Sequence, residues 1–288
     1  MLIDFTKSHG LGNDFIIIDD LDGVLDISPA MVRGLCDRHF GVGADGLIVT
    51  KKSAVGDYFM DFRNADGSLA EMCGNGIRAF AKYIYEHHDY RRILNIETLA
   101  GVKTVELTVA NGTVADVRVD MGKPLFGNAD IPVLADGDDF IDRPLVLPDN
   151  RRYAATCLSM GNPHCVIFVD DLDEVDLAAD GAIIENLDIF PKKTNVEFVR
   201  VLADDRLKVK VWERGVGATL ACGTGACAAL VAGGLNGLAG REATVELPGG
   251  ELMVTWLEND HVTLAGEVKE VFTGRFEMDR WPMEGETD

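Results

Sequence analysis

Two distant stretches of the 288-residue chain carry nearly the same short string: Cys73-Gly-Asn-Gly-Ile-Arg-Ala79 and Cys222-Gly-Thr-Gly-Ala-Cys-Ala228, 149 positions apart. The same offset of 149 carries Gly12-Asn13 onto Gly161-Asn162, each followed by an apolar run, 15–18 and 165–169. It also carries Ile96-Glu97, Gly101 and Val105 onto Val245-Glu246, Gly250 and Val254. One gapless offset linking three separated segments, with a period far too long for a solenoid, points to two homologous halves. These span 1–119 and 150–268, joined by a Gly/Asp/Pro-bearing connector over 121–150.

Each half reads alike. Short apolar or β-branched runs at 15–18, 47–50, 104–109 and 114–119 are separated by turn signals such as Ala-Asp-Gly and Asn-Gly. One helix stands out per half, starting just after Cys-Gly-x-Gly. In the first, Ile77, Phe80, Ala81 and Ile84 fall at i, i+3, i+4 and i+7, an amphipathic pattern. In the second, residues 226–232 are apolar all round, so that helix is expected to be enclosed. A buried helix wrapped by many short strands, built twice, is an α+β fold of two pseudo-symmetric halves.

Composition narrows the function. With 27 Lys and Arg against 48 Asp and Glu, the formal charge is −21. Such a chain lacks the basic face that phosphate neutralisation needs, and an anionic membrane surface would repel it. Nucleic-acid and membrane partners are therefore not expected. Residues 129–189 alone carry 14 acids and three arginines, read as a solvated acidic face. The uncharged stretch 215–240 holds eight glycines in 26 residues, too flexible for a membrane span and read as buried loop and helix. The N-terminus shows no basic region followed by an apolar run, so a cytoplasmic protein with reduced thiols is expected. The six cysteines form neither C-x-x-C nor paired Cys/His zinc spacing, and no metal is expected.

Cys73 and Cys222 both sit at the start of the expected helix, followed by glycines. Unpaired amides and the positive dipole end lie there, which favours a thiolate and lets a ligand carboxylate approach closely. Cys36, Cys157, Cys165 and Cys227 read instead as small buried hydrophobes. Two thiols flanking one cleft suit stereoinversion: one removes a proton from a stereocentre while the other delivers a proton to the opposite face. Repeat-related polar residues, Asn13 with Asn162 and Asn64 with Glu213, fit recognition. Three rival classes carry less. The match of Gly223-Thr-Gly-Ala-Cys-Ala228 to a dinucleotide fingerprint lacks its strand and βαβ setting. A thiol–disulfide oxidoreductase keeps both thiols within one turn. A binding module would not need a thiol at each helix start.

The segments Gly12-Asn-Asp-Phe15, Arg63-Asn-Ala-Asp-Gly67, Glu71-Met-Cys-Gly-Asn-Gly76, Gly161-Asn-Pro-His164, Thr194-Asn-Val196, Trp212-Glu-Arg-Gly215 and Ala221-Cys-Gly-Thr-Gly225 resemble, in order and over nearly the whole chain, the diaminopimelate epimerases. The resemblance implies an isomerase without pyridoxal phosphate or metal, interconverting LL- and meso-diaminopimelate for lysine and peptidoglycan precursors. It also implies a homodimer, and two domains closing over substrate: 1–120, with 269–288 returning to it, and 121–268. By the same resemblance Cys222 is the base towards the LL substrate and Cys73 the acid. Gly74, Asn75, Gly223 and Thr224 hold the α-carboxylate. Glu213 and the Arg214 backbone receive the reacting amino end. Asn64, Asn162, Asn195 and the Arg214 guanidinium grip the distal end, and Asn13 lines the cleft. His164 and Glu213 match positions that tune the catalytic environment. Some relatives carry Gln where Gly46 stands here. Proline racemases and hydroxyproline epimerases, the nearest alternative, usually have His where Asn75 stands.

Overall fold

In the computed structural model, which describes residues 1–278, the chain forms two compact units: residues 1–119 with 266 onward, and residues 120–265. In chain order the first elements are β1 (Leu2–Gly10), β2 (Asn13–Asp19), α1 (Pro29–Cys36), β3 (Gly46–Lys51), β4 (Tyr58–Asn64), α2 (Gly74–His87), β5 (Ile93–Thr98), β6 (Gly101–Ala110) and β7 (Thr113–Gly122). Then come β8 (Arg143–Val146), β9 (Arg152–Ser159), β10 (Pro163–Phe168), α3 (Leu177–Glu185), β11 (Asn195–Ala203), β12 (Arg206–Glu213), β13 (Gly217–Ala218), α4 (Gly223–Leu235), β14 (Glu242–Leu247), β15 (Gly250–Trp256), β16 (Val262–Gly266) and β17 (Lys269–Glu277).

The first unit orders its strands β17-β1-β2-β3-β4-β5-β6-β7, with only β2–β3 and β4–β5 parallel. The second orders them β8-β9-β10-β11-β12-β14-β15-β16, with β10–β11 and β12–β14 parallel at the same two places. Even the register repeats. Phe15 pairs with Gly46, and 149 residues on, His164 pairs with Asn195. The strand that covers β1 in the first unit, β17, comes from the far end of the chain, whereas β8 simply precedes β9. Residues 279–288, the remainder of the segment expected to return to the first domain, lie outside the described residues.

Each unit wraps its sheet around one helix, as the α+β reading expects. α2 packs on β1, β2, β4, β5 and β6; α4 packs on β9, β10, β11, β12, β14 and β15. The other sheet face is covered too. Ile16, Ile18, Leu47 and Val49 join Met31, Val32 and Leu35 of α1 in one core. Strands covered on both faces read as continuous apolar runs, which is why 15–18 shows no alternation. Each such side chain, fully buried, stabilises by about 1.5–3 kcal/mol.

Four sequence expectations need correction. One helix per half is too few: α1 and α3 are a second repeat-related pair. The amphipathic α2 also buries its polar side, because Arg78 bonds the helix's own first turn and Lys82 meets Glu86 at 2.6 Å. The loop ahead of α4 is not buried. Val216 is 75% and Leu220 54% exposed, so the missing charge there reflects small turn residues rather than enclosure. In the acidic stretch, Asp180 and Glu185 depart from a solvated face. They are buried against Arg151 and Tyr153, and against Trp212, respectively.

Candidate active site

Both central helices begin on a cysteine. Cys73 (φ −137°, ψ 120°) and Cys222 (φ −120°, ψ 112°) are extended residues just ahead of the first turn. Each sulfur accepts the amide of the residue three positions on, Gly76 at 3.3 Å and Gly225 at 3.4 Å. That is the N-cap position, where Ser, Thr, Asp or Asn is the usual choice. A thiol there gains most when ionised, since the amide and the helix dipole both favour negative charge. Glycine at the donating amide is required in the second unit: a Cβ on Gly225 would lie 2.8 Å from Glu197 Oε1. The other four cysteines are buried core residues.

In the first unit Asn13 Oδ1 lies 3.6 Å from Cys73 Sγ and accepts from Asn75 Nδ2 at 3.2 Å. Behind it, Asn13 Nδ2 donates to Asp45 at 2.8 Å, and the fully buried Arg78 donates to Asn75 Oδ1 at 2.9 Å. Asp45 shares Arg38 with Asp14, which also pairs with Lys7 at 2.6 Å. Asn64 ends β4 and donates to Ser68 Oγ at 3.0 Å. It pairs across the sheet with Gly46, where a Cβ would fall 2.5 Å from the Phe62 ring. The space a glutamine would need is therefore filled here by Phe62.

In the second unit a chain of contacts reaches Cys222. Glu197 Oε1 lies 2.7 Å from His164 Nδ1, His164 Nε2 lies 2.9 Å from Asn162 Oδ1, and Asn162 Nδ2 donates to Thr224 Oγ1 at 3.3 Å. Thr224 Oγ1 is 3.5 Å from Cys222 Sγ. Neither the His164 nor the Glu197 side chain has exposed surface. Glu213 accepts from Thr219 at 2.5 Å. Burial pushes its carboxyl up, against the hydrogen bonds of Thr219 and Cys222. Burial also pushes the Cys222 thiol well up, with the Glu213 and Glu197 charges adding, while Thr224 and Gly225 pull it down. Asn195 donates to the Pro163 carbonyl at 2.8 Å and accepts the Arg214 amide at 2.9 Å; the Arg214 guanidinium rests on the Lys192 carbonyl.

The structure thus joins Asn13, Cys73 and Asn75 in one unit, and Asn162, His164, Cys222 and Thr224 in the other. Asn64 and the Arg214 side chain are held by other partners. Sequence reasoning missed Asp45, Arg78 and Glu197. Asp45 lay in an Ala-Asp-Gly string read as a turn. Glu197, an acid inside the apolar run 196–199, carried a signal that could have been used.

A model of the diaminopimelate epimerase family matches residues 5–126 and 156–271. The diaminopimelate epimerase of Pelotomaculum thermopropionicum is 49% identical over 275 residues, covering 94% of this chain and 98% of that protein. The Methanococcus maripaludis one is 46% identical over 276 residues, covering 95% and 99%. Among solved structures, a hydroxyproline epimerase from Agrobacterium vitis superposes with a TM-score of 0.70 at 14% identity, covering 96% of this chain and 93% of that one. A PhzF-family phenazine biosynthesis protein from Bacillus anthracis gives 0.68 at 17%, covering 96% and 100%. These two likenesses establish the shared fold. The family model and the near-full-length relatives place the chain in the diaminopimelate epimerase family, and it is an isomerase of the epimerase kind.

Proposed function

We propose that this chain interconverts LL- and meso-diaminopimelate by a two-thiol mechanism needing neither pyridoxal phosphate nor metal. Cys222 serves as base towards the LL isomer and Cys73 as the acid, with the roles exchanged in reverse. The observation that carries this reading is the use of cysteine as N-cap on both repeat-related helices. The reading requires the two units to close these helix starts on one substrate carbon.

A thiol of ordinary pKa, about 8.5, is far too weak to deprotonate an amino-acid α-carbon in water, at about 1.4 kcal/mol per missing unit. The developing carbanion shares its charge with the α-carboxylate. Placed between the amides at Gly74-Asn75 and Gly223-Thr224, that carboxylate would meet two helix N-termini, each worth about half a positive charge. The substrate's reacting ammonium, received by Glu213 and the Arg214 carbonyl, would take Glu213 away from Cys222. One charge that holds the thiol up is then neutralised on binding, so the base is released when substrate is present. Asn64, Asn162, Asn195 and the Arg214 guanidinium grip the distal end, Asn13 lines the cleft, and His164 with Glu213 tunes it. The same reading assigns the enzyme to lysine and peptidoglycan precursor synthesis, as a cytoplasmic homodimer.

Incubation with LL-diaminopimelate in deuterated water after exhaustive EDTA treatment tests this. Meso product carrying α-deuterium is expected. Activity restored only by added metal, or label entering proline or hydroxyproline but not diaminopimelate, would overturn it.

A further inference from the structure

The repeat-related asparagines Asn13 and Asn162 are turned in opposite senses, and in each case a buried or ionic partner fixes the turn. Asp45 can only accept, so it takes the Asn13 amide N–H and leaves Asn13 Oδ1 facing Cys73. Arg78 can only donate, so it takes Asn75 Oδ1 and leaves the Asn75 amide facing that same oxygen. Both ends of the chain agree on its polarity. Beside the Gly76 amide donor, Cys73 thus meets a side-chain acceptor where Cys222 meets the Thr224 hydroxyl, and that acceptor favours a thiol S–H over a thiolate.

The second unit has none of these ionic ends. At the offset of 149, Thr194 stands for Asp45, Cys227 for Arg78, Thr224 for Asn75, His164 for Phe15 and Glu197 for Ile48. The sheet itself does not need a charged pair here, since Phe15 and Ile48 fill the same places in the first unit without exposed surface. Glu197 accepts from His164 Nδ1–H, and His164 Nε2 then faces a second acceptor, Asn162 Oδ1. The Asn162 amide N–H is thereby committed to Thr224 Oγ1, and the Thr224 hydroxyl hydrogen is left to point at Cys222 Sγ beside the Gly225 amide. Cys222 thus meets two donors, which suit a thiolate, beside the Glu213 carboxylate, the acceptor that the substrate ammonium takes away in the proposed reaction.

We propose that Asp45 and Glu197 are positioning residues that set these opposite amide orientations, biasing Cys73 towards its proton-carrying form and Cys222 towards the form that accepts a proton. The assignment of base and acid rests on the two-thiol reading above; the orientation does not. It can therefore be read without substrate. Side-chain amide NMR of the wild-type protein should show the Asn162 NH2 turned to Thr224, and Glu197→Gln should turn it towards His164. In a Cys73→Ala background, the titration of Cys222, followed by its Cβ carbon resonance, should move up by about one pH unit in Glu197→Gln, the size of one hydrogen bond to a charged group. Thr224→Val should raise it similarly, and the two should not add. In a Cys222→Ala background, Asp45→Asn should move the Cys73 titration down. Asp45 is 42% exposed at its side chain, so loss of its screened charge alone would shift Cys73 little. Glu197→Ile, which restores the first unit's residue, serves if the glutamine variant does not fold. A fall of the Cys222 midpoint in Glu197→Gln, as simple removal of a negative charge would give, overturns the proposal. So does an Asn162 NH2 turned to His164 in the wild type, or an unmoved Cys73 in Asp45→Asn. Inactive wild type with these shifts intact would instead overturn the proposed reaction.

Discussion

At the residue scale, single substitutions should expose the division of one reaction between two cysteines that the proposed function requires. Stereoinversion needs both proton transfers, so Cys73→Ala and Cys222→Ala should each lower epimerisation by at least about a hundredfold, the lower range for one acid–base group. On that reading each variant keeps one thiol for one face and should still exchange a single α-proton with retention, weakened because residues acting as a unit do not contribute additively. Cys73→Ala should exchange the LL isomer, and Cys222→Ala the D-configured centre of the meso isomer. Deuterium uptake by NMR on both isomers gives four readings, and near-normal epimerisation by either variant would contradict the two-thiol mechanism. The two thiols were legible in the sequence because a repeated string carries them. Their partners were not, because partnership here is made across the sheet. Asp45 reaches Asn13 from another strand's approach, and Glu197 meets His164 between parallel neighbours β10 and β11. The buried Arg78 lay in plain view inside the repeated string. It could be read only as a helix residue until its contact with Asn75 was known.

At the element scale, a conservative change at the helix starts should separate folding from the proposed chemistry. Serine is a better N-cap than cysteine. Cys73→Ser and Cys222→Ser should therefore keep the caps on α2 and α4, with unfolding free energies within about 1 kcal/mol of the parent, while epimerisation is lost. Denaturant melts beside activity would show it; a large loss of stability would mean the sulfurs are packed for structure. A second element-level expectation concerns β2. Burial works to raise the Asp14 carboxyl, yet hydrogen bonds from Arg38 and Lys7 overcome it and hold it at about 2, below the ordinary 3.8. A depressed carboxyl contributes stability that is full above its unfolded value and is lost as pH falls through the folded one. The window is thus about pH 4 down to 2, worth up to about 2 kcal/mol. Asp14→Asn should flatten the fall of stability across that window in acid titrations at fixed temperature, and an unchanged slope would show that the ion pair does not bear on folding. The repeat was legible at this scale in three segments only. The structure extends it to α1 with α3 and to every matched strand, because sheet positions accept many apolar residues whereas the helix starts accept few.

At the scale of the whole molecule, the two units are the same eight-strand design closed in two ways. In the second unit β8 leads directly into β9, a local hairpin-like pairing. In the first, the equivalent edge is closed by β17, which pairs with β1 from Leu2↔Glu277 to His9↔Lys269. Phe276 is 9% exposed there and lies 6.2 Å from the Phe5 ring, whose other neighbour Phe272 is at 6.0 Å. A chain ending at 268 would uncover β1 as an unpaired edge and strip Phe5 and Ile3 of their cover. Loss of one buried phenylalanine alone costs about 3–5 kcal/mol, and a domain holds only roughly 5–15 kcal/mol in total. The first unit should therefore unfold in the truncated protein, while residues 120–265 keep their own core of Ile131, Phe140, Ile167, Ile184, Val196 and Phe198. Amide exchange read by mass spectrometry separates the outcomes. Full protection over β9–β12 with rapid exchange over β1–β4 is the expected pattern. Equal loss of protection in both units would show that they fold as one cooperative body, and equal retention would show that β17 is not needed to hold the first sheet.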